Sequence, residues 1–428
     1  MGLLARAFSS FSKTIPIHVS KLPIDTTKLH LINQKVHGEL GPIYAEKLGP
    51  DVNALWIACP KITEKLFRNE PEHPIHVVPQ CWQEFNKRFN VKRGLFFLDG
   101  PEWQEMRSKM NPIFLKKNQW LAEALSHSNK VTDTLINDLK GQTEVDLEQI
   151  LHKWSVESTL ATLYGNCCQS TDSLNSFVQN VHQMFSSSAK LQTQSAFLAA
   201  ETQTQDWLNF CSAAQEALAF LNSNLTKESK GLTGGVLSNV FTNEEISRIA
   251  QDLIIAAADT TSYTLLWALY HMATNKSWQE GEIKHKEVIR ESMRISPVAP
   301  FLTRIQQKPL EAEEYFIDEG QLILVSIYAM GHDNSCFPNP EQFDPRRWSR
   351  DPESGKLKGV NDAFASLPFG FGTRSCIGKR LAEQQMEYFL NKFFATFELD
   401  VLNRVQYEMK LIGVPDARIN FKLIQKKK

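Results

Sequence analysis

The loop at residues 369–378 constrains this chain more than any other segment. It reads Phe-Gly-Phe-Gly-Thr-Arg-Ser-Cys-Ile-Gly, and an amphipathic helix is predicted directly after it. Its glycines allow tight positive-φ turns and close backbone approach, which larger side chains would obstruct. A helix starting after Cys376 would stabilise a thiolate through its backbone N–H groups and its dipole. The spacing predicts a loop that presents one thiolate to a metal, although a lone cysteine after such a turn is more often structural.

The same ten residues resemble the signature of the cytochromes P-450, the haem-thiolate monooxygenases. That signature is Phe-x-x-Gly-x-Arg-x-Cys-x-Gly, and it is matched position for position by Phe369, Gly372, Arg374, Cys376 and Gly378. The resemblance implies haem b as the cofactor, Cys376 as the axial ligand of its iron, and Arg374 at a haem propionate. A thiolate ligand pushes electron density onto iron and favours O–O cleavage. It also implies a mainly α fold, a triangular helix-rich single domain with a small β-sheet region.

The composition is that of an ordinary globular protein. Of the 428 residues, 42% are hydrophobic and 22% are charged, and the formal net charge of −1 gives no reason to expect nucleic acid as a partner. The seven cysteines lack metal-type spacing, which indicates a reducing compartment rather than a disulfide framework. No internal repeat or long low-complexity linker divides the chain, so we expect one continuous domain.

The first 24 residues have the character of a targeting segment. They contain no Asp or Glu and carry Arg6, Lys13 and Lys21 among several serines, a composition that resembles a mitochondrial transit peptide. A basic terminus without address value is the alternative. No run of about 18 apolar residues is present, so we expect no microsomal-type anchor. The predicted organisation is a transit peptide at residues 1–24 and a monooxygenase domain at residues 25–428, located on the matrix side of the mitochondrial inner membrane.

A long helix predicted over residues 244–274 carries a second pattern. Its Ala-Ala-Ala-Asp-Thr-Thr stretch fits the family's Ala-Gly-x-Asp/Glu-Thr-Thr, with Ala257 in place of the glycine. A hydroxyl in mid-helix can bond the carbonyl four residues back, here that of Ala256, and loosen the turn. We expect a groove into which an acid and a hydroxyl point. The resemblance implies that Asp259 and Thr260 relay protons for dioxygen cleavage.

A third pattern joins one acid and two arginines. Glu291 and Arg294 stand three residues apart and share a helical face, a pair that in isolation is usually a weak surface contact. The family buries this pair and completes it with an arginine from a later loop, for which Arg347 is the match. A buried ion network with all its partners is costly to break, so its predicted role is structural.

Further cationic and indole groups match the propionate contacts of the family. Trp103 and Arg107 stand four residues apart on one helical face, and Arg304 matches the arginine of the first sheet. With Arg374 they would provide oriented, charge-assisted bonds to two carboxylates. For each arginine taken alone, a solvated surface position is the alternative. Residues 317–328 are predicted to form short strands.

Two pairs of basic residues indicate where an acidic electron-donor protein would dock. Lys286 and Arg290 are four residues apart on one helix, an unfavourable like-charge spacing that an acidic partner would explain. Mitochondrial members of the family use such positions to dock a [2Fe–2S] ferredoxin, which is supplied with electrons by its reductase. Lys379 and Arg380 would add positive charge to the same face. A generic solvated helix edge is the alternative.

Within the mitochondrial clan, the chain resembles the insect ecdysteroid 2-hydroxylases. The resemblance rests on the amino-acid sequences of residues 253–259 and 184–190. It implies hydroxylation of a steroid at carbon 2 with dioxygen and two electrons, and peripheral association with the inner membrane. Another lipophilic substrate is the alternative. The pocket walls are expected from residues 75–100, residues 180–205 and the central helix.

The chain departs from its family between the central helix and the Glu-x-x-Arg helix. Only 31 positions separate Thr260 from Glu291, where eukaryotic members usually carry another helical stretch. All the predicted haem and oxygen residues remain, but electron delivery and stability are open. One rival is therefore a folded haem- or steroid-binding variant that does not turn over. Two further rivals are an isomerase that needs no electron donor, which the acid and hydroxyl argue against, and a microsomal-type enzyme.

Overall fold

The computed structural model describes residues 13–20, 25–47, 53–116, 119–165, 171–192, 194–223, 230–280 and 283–427. Their contacts divide the chain into two compact units between which the backbone passes several times. The first unit consists of Met1–Val77, Asp99–Pro101 and Arg294–Cys376, and the second of Val78–Leu98, Glu102–Met293 and Ile377–Lys428.

Helices dominate the second unit, and helical residues outnumber strand residues in the described chain as a whole, which confirms the predicted mainly α class. The α-helices of the described residues are α1 (Leu29–Leu40), α2 (Pro60–Arg68), α3 (Gln80–Arg88), α4 (Gly100–Phe114), α5 (Gln119–Asp138), α6 (Leu147–Tyr164), α7 (Thr171–Leu191), α8 (Ala196–Glu201), α9 (Gln205–Ser223), α10 (Asn243–Thr274), α11 (Ser277–Glu280), α12 (His285–Ile295), α13 (Ile327–Gly331) and α14 (Lys379–Thr396).

The strands are short and gather into small sheets. They are β1 (Ile17–His18), β2 (Ile43–Lys47), β3 (Asn53–Ile57), β4 (Glu144–Val145), β5 (Phe301–Ile305), β6 (Leu310–Ala312), β7 (Tyr315–Ile317), β8 (Leu322–Ser326), β9 (Phe397–Val401), β10 (Tyr407–Lys410), β11 (Ile412–Pro415) and β12 (Phe421–Gln425). Four 3-10 turns complete the described elements, at Thr26–Lys28, Leu237–Asn239, Pro345–Trp348 and Ala363–Ala365.

The first unit is built on a five-stranded sheet in the order β1-β2-β3-β8-β5. The sheet is mixed, because β3 runs parallel to β8 while β5 and β2 pair antiparallel with their neighbours. Its central strands are rich in aliphatic side chains, as expected for strands buried on both faces. They form a core with α2 and with the β6–β7 hairpin, in which Ile57, Ile317 and Val325 are fully buried.

The second unit is a helical assembly that contains the central helix, α10. Thr242 caps the N-terminus of α10, and Glu245 returns a bond to the Thr242 backbone in a capping box. The helix packs against α6, and α9 packs against α7. The antiparallel sheet β4-β12-β9 and the β10–β11 hairpin belong to the same unit. A large core that includes Trp82, Phe177 and Phe210 holds the helices together.

The predicted segment boundaries can be compared with the observed ones. The central helix was expected over residues 244–274 and begins one residue earlier. The prediction of strands throughout residues 317–328 is wrong at its end, because the chain turns into α13 at Ile327. Both Ile327 and Tyr328 are buried there, so tertiary packing overrides the β propensity of this apolar run.

The predicted transit peptide lies mostly outside the described residues. Its residues 13–20 are described, and they contain β1, in which Ile17 pairs with Ala45 of β2. The boundary at residue 24 stays a prediction. Among the helices of the described residues, none has the length and apolar character needed to cross a bilayer.

Candidate active site

The glycine-spaced loop closes on itself just before Cys376. The Cys376 N–H donates to the carbonyl of Phe369 at 2.8 Å, so the first and eighth residues of the motif are joined. Gly370 and Gly372 have φ values of +68° and +74°, which side-chain-bearing residues rarely adopt. Gly378 occupies the N-cap position of α14, two residues after the cysteine. The local backbone thereby leaves Cys376 exposed at the end of the loop.

Glu70 explains why residue 372 must be small. A β-carbon placed on Gly372 would overlap the Glu70 carboxylate, which is packed against the loop. Glu70 also forms an ion pair with Arg304 of β5, and both of these side chains are less than a tenth exposed. Burial raises the pKa of Glu70, and the charges of Arg304 and Arg374 offset this only in part. A buried acid that sequence reasoning missed therefore lies close to two predicted propionate ligands.

Arg374 is held by two groups of the first unit. Its Nε donates to the carbonyl of Pro74 at 2.8 Å, and its terminal nitrogen forms an ion pair with Asp99. Burial raises the pKa of Asp99, with the charge of Arg374 acting in the opposite direction. The structure thus places Arg304 and Arg374 each beside a partly or fully desolvated carboxylate. Guanidinium groups in such positions are suited to binding carboxylates.

The Trp-x-x-x-Arg pair lies on α4 of the second unit. Trp103 is 2% exposed and Arg107 is 6% exposed, so neither is the solvated surface residue of the alternative interpretation. The Nε of Arg107 donates to Asn111 Oδ1 at 2.8 Å, one turn further along the helix. The predicted common face is therefore turned into the second unit and not toward solvent.

The hydroxyl of the central helix behaves as its position predicts. Thr260 Oγ1 donates to the carbonyl of Ala256 at 2.6 Å. Ala256 and Thr260 are exposed on a helix whose neighbouring residues are largely buried. Next to them, the carbonyl of Ala257 accepts a bond from the Ser155 hydroxyl at 2.8 Å. Side-chain hydroxyls thus bond two successive carbonyls of this turn, as a loosened helical turn requires.

Asp259 does not point in the direction that was expected. Its side chain is 4% exposed and approaches two histidines, with Oδ1 3.0 Å from His182 Nε2 and 3.3 Å from His152 Nδ1. Consecutive residues of an α-helix project about 100° apart, so the acid and the Thr260 hydroxyl face different surroundings. The Thr260 side chain is exposed, while the acid is buried against α6 and α7.

The two histidines control the charge of this acid. Burial alone would raise the pKa of Asp259, but its contacts with His152 and His182 outweigh burial and lower the pKa to about 2. Burial lowers the pKa of His182, yet the contact with Asp259 and the charge of Glu148 leave that pKa raised overall. The sequence contained no signal for either histidine, because both stand alone on helices distant along the chain.

The Glu-x-x-Arg residues and the later arginine are all buried. Glu291 is 0%, Arg294 1% and Arg347 6% exposed. Arg294 donates to the carbonyl of Gly331 at 2.6 Å, and Arg347 donates to that of Asn339 at 2.8 Å. Both arginines also donate to the carbonyl of Gln342, at 3.3 and 3.4 Å. The two guanidinium groups therefore bind a shared stretch of backbone.

The predicted docking residues occupy two separate helix segments of the second unit. On α12, one side chain is exposed and one is half-buried, and the same is true at the start of α14. They are Lys286 and Arg290 on α12, and Lys379 and Arg380 on α14.

A contact between α12 and α14 fixes how far apart these segments lie. His285, next to Lys286, approaches Asn391 with Nδ1 2.7 Å from Oδ1, and its ring stacks on Phe394. Asn391 is twelve residues beyond Lys379, which corresponds to about 18 Å along the helix. The start of α12 therefore packs near the C-terminal end of α14, whereas Lys379 lies at its N-terminal end. The two basic pairs do not form one compact cluster.

The short connection after the central helix is anchored by Gln279 of α11. Its side chain donates to the carbonyls of Met272 and Leu399 at 3.0 and 2.8 Å, and it accepts from the Leu399 N–H at 2.8 Å. Gln279 is 9% exposed and Leu399 is fully buried. The amide thus binds both backbone groups of Leu399 on the side of β9 away from β12. The shortened segment is joined to a sheet in place of the usual helical stretch.

Comparison with models of known protein families identifies the family of this chain. The family model "Cytochrome P450" matches residues 10–281 and 285–423. The chain belongs to the cytochrome P450 family. The break between the two matched segments falls at residues 282–284, directly after the connection anchored by Gln279, where the sequence is shorter than expected.

Curated relatives of this P450 match along most of its length. It is 29% identical over 442 residues to cytochrome P450 315a1, mitochondrial, of Drosophila melanogaster, covering 93% of this chain and 84% of the relative. It is 26% identical over 431 residues to the mitochondrial 1,25-dihydroxyvitamin D(3) 24-hydroxylase of Rattus norvegicus, covering 90% and 82%. It is 24% identical over 460 residues to the mitochondrial sterol 26-hydroxylase of Rattus norvegicus, covering 93% of this chain and 84% of the relative.

These matches confirm the recognition of a mitochondrial-type P450 and its monooxygenase class, and haem b is the cofactor of the family. The donor groups of the structure fit that cofactor: an exposed thiol on a glycine-turned loop, and arginines placed to bind carboxylates. None of the five cysteines in the described residues forms a disulfide. Cys376 is the one exposed cysteine among those five.

Proposed function

We propose that this P450 hydroxylates a steroid, an ecdysteroid precursor at carbon 2, with dioxygen and electrons from a [2Fe–2S] ferredoxin and its reductase. The observation that carries the proposal is the extent of the match to mitochondrial P450s. Relatives whose names specify a sterol or a vitamin D substrate align with 90% and 93% of the chain, and an insect member aligns with 93%. The carbon 2 assignment rests on the resemblance of residues 184–190 and 253–259 to the insect enzymes.

The residue roles follow from the chemistry of each site. Cys376 would ligate the haem iron through its thiolate, and Trp103, Arg107, Arg304 and Arg374 would bind the propionates. The bound haem supplies the redox chemistry of dioxygen activation. Asp259 and Thr260 relay protons for dioxygen cleavage, Asp259 from the buried side of α10 and the Thr260 hydroxyl from the exposed side, where it bonds the Ala256 carbonyl.

Electron delivery is assigned to the basic residues of the second unit. Lys286 and Arg290 bind the acidic surface of the ferredoxin, and Lys379 and Arg380 contribute positive charge from the start of α14. We further propose that the enzyme lies on the matrix side of the mitochondrial inner membrane, with which it associates peripherally. The mitochondrial names of the relatives support a mitochondrial location.

A folded variant that binds haem and steroid without turnover is the second candidate. It is favoured by the break in the family match at residues 282–284. The anchoring of the short connection by Gln279 argues for a folded protein under either candidate. Only turnover distinguishes them.

The first experiment is the carbon monoxide difference spectrum of the reduced, purified protein. We expect the red-shifted Soret band of a thiolate-ligated haem, absent in Cys376→Ala and kept in Cys59→Ala, a half-buried cysteine of the same unit. Reduced ferredoxin, dioxygen and a 2-deoxyecdysteroid should then yield the 2-hydroxylated product. A normal spectrum without product from this steroid would refute carbon 2 hydroxylation. No turnover with any lipophilic substrate would favour the second candidate.

Thr260 is tested by the fate of the electrons. In Thr260→Ala, NADPH oxidation should yield mainly hydrogen peroxide or water and little product. Thr264→Ala is the matched control, because Thr264 lies one turn further along α10 and its hydroxyl only bonds the Thr260 carbonyl, at 2.7 Å. Coupled turnover in Thr260→Ala would exclude its role in proton transfer.

A further inference from the structure

A surface pocket on the side of α6 and α7 is lined by the two histidines that contact the buried acid of the central helix. The pocket has a volume of about 230 Å³, and His182 lies in its wall with about a third of its side chain exposed. On its inner side, His182 Nε2 is 3.0 Å from Asp259 Oδ1. One imidazole therefore contacts both solvent and an otherwise buried carboxylate.

The second histidine has a fixed orientation. His152 is 1% exposed, and its Nδ1 lies 3.3 Å from the carbonyl of Ala258 and 2.7 Å from the hydroxyl of Ser262. The same nitrogen lies 3.3 Å from Asp259 Oδ1, so His152 Nδ1 is surrounded by three polar atoms of α10. His152 thus packs against Asp259, with its other nitrogen buried and not hydrogen-bonded.

His182 is the group of the pair that can exchange protons with water. Its ring stands edge-on to His152 at 4.1 Å and stacks on Tyr263 at 6.4 Å between centroids. The Tyr263 hydroxyl donates to Glu148 at 3.0 Å, which keeps that carboxylate at the pocket. The titratable and charged groups that face His182 or line its pocket are Asp146, Glu148, His152, Lys153, Asp259, Tyr263 and Arg418.

We propose that His182 carries protons from solvent to Asp259 during turnover, so that the pocket beside it is the proton entrance of this P450. The inference rests on the proposed role of Asp259. In each transfer the His182 Nε2–H bond breaks and an O–H bond forms at Asp259, which returns to a carboxylate when it releases the proton to the relay. The imidazole regains a proton from hydronium of the solvent in the pocket. No electrons move in this step. At rest the proton is stored on the imidazole, because the pKa of Asp259 is about 2 and that of His182 is raised.

The kinetic test compares His182→Gln and His182→Ala with a matched control. His127→Gln serves as the control, since His127 is also half-buried and lies on α5 outside this group. We expect both His182 variants to lose about a hundredfold or more in product formed per NADPH, the lower end of what a proton-transfer group contributes. The solvent deuterium isotope effect should rise and the KM for steroid should stay constant. Added imidazole, which fits the open pocket, should restore coupling in His182→Ala.

A second measurement does not depend on turnover. The rate at which diethylpyrocarbonate modifies His182 in the resting, haem-loaded enzyme, followed by mass spectrometry against pH, reports its pKa. That pKa should lie above 6.5 in the wild type and fall in Asp259→Asn, since the contact with the acid is what raises it.

The outcomes separate this inference from the proposed function. Coupling in His182→Gln equal to that in the wild type and His127→Gln would overturn the proton entrance while leaving the hydroxylase intact. A wild-type enzyme that makes no steroid product overturns the proposed function instead. The labelling then decides alone, and a His182 pKa unchanged by Asp259→Asn would overturn the inference.

Discussion

Replacing Gln279 with leucine should destabilise the protein by about 1 to 5 kcal/mol, with about 3 kcal/mol as the central value. The substitution keeps a buried side chain of similar length but removes both bonds of the Gln279 amide to β9. It leaves the N–H and the carbonyl of the fully buried Leu399 without their partner. Each orphaned backbone group costs about 1 to 3 kcal/mol, and the added methyl groups return only about 1 kcal/mol.

The loss is measurable by urea unfolding followed by far-UV circular dichroism at equal haem content. With a slope of about 3 kcal/mol per molar urea, the midpoint should fall by roughly 1 M. Gln384→Leu is the matched control, because Gln384 is exposed on α14 and bonds only the carbonyl of Arg380 in its own helix. We expect the control to stay within about 0.5 kcal/mol of the wild type. A Gln279→Leu midpoint equal to that of the control would show that the shortened segment is not anchored through this amide.

Three further predictions concern the haem loop, the electron donor and the acid limb of stability. Gly372→Ala should weaken haem retention far more than Gly355→Ala, and haem transfer to apomyoglobin measures the difference. Gly355→Ala is the matched control, because both glycines have positive φ but a β-carbon on Gly355 meets nothing within 4 Å. Equal rates would refute the packing of the loop against its neighbouring carboxylate. Exchanging Lys286 and Arg290 for glutamate should raise the ferredoxin concentration needed for half-maximal turnover about tenfold, with steroid binding, read from the ferric spectrum, unchanged; an unaltered ferredoxin dependence would remove them from the docking site. Burial, with the charge of a neighbouring histidine, lowers the pKa of His30 to about 4. The contribution of neutral His30 to the free energy of unfolding is therefore complete above the pKa of the unfolded chain, about 6.5. It is lost as pH falls toward 4, at up to about 1.4 kcal/mol per pH unit. His30→Leu should flatten the stability profile in that window, and an unchanged slope would contradict the assignment.

Much of the candidate site could be predicted because its parts are local. The positive φ angles of Gly370 and Gly372 follow from glycine spacing within ten residues. The bond from Thr260 to the Ala256 carbonyl follows from the geometry of one helical turn. The central helix itself was predicted to within one residue at its start, since its capping residues and apolar content are local properties.

The errors and omissions all involve contacts between distant segments. Ile327 and Tyr328 have β-type propensity but form a helix that is buried against other parts of its unit. The direction of Asp259 was missed because it depends on which helices pack beside α10. Glu70 was missed because its partner Arg304 lies 234 residues away along the chain.

The amino-acid sequence by itself determined the chemistry that this protein can carry: a thiolate on a glycine-turned loop, a mid-helix hydroxyl beside an acid, and the arginines of a carboxylate site. Each of these is encoded within a few consecutive residues, where backbone geometry leaves few options. Only the tertiary structure decided what surrounds them. It turned Asp259 toward His182 and a solvent pocket, placed Glu70 against Gly372, and joined the shortened connection to β9 through Gln279. Packing between segments far apart in the chain sets those contacts, and no local pattern encodes it.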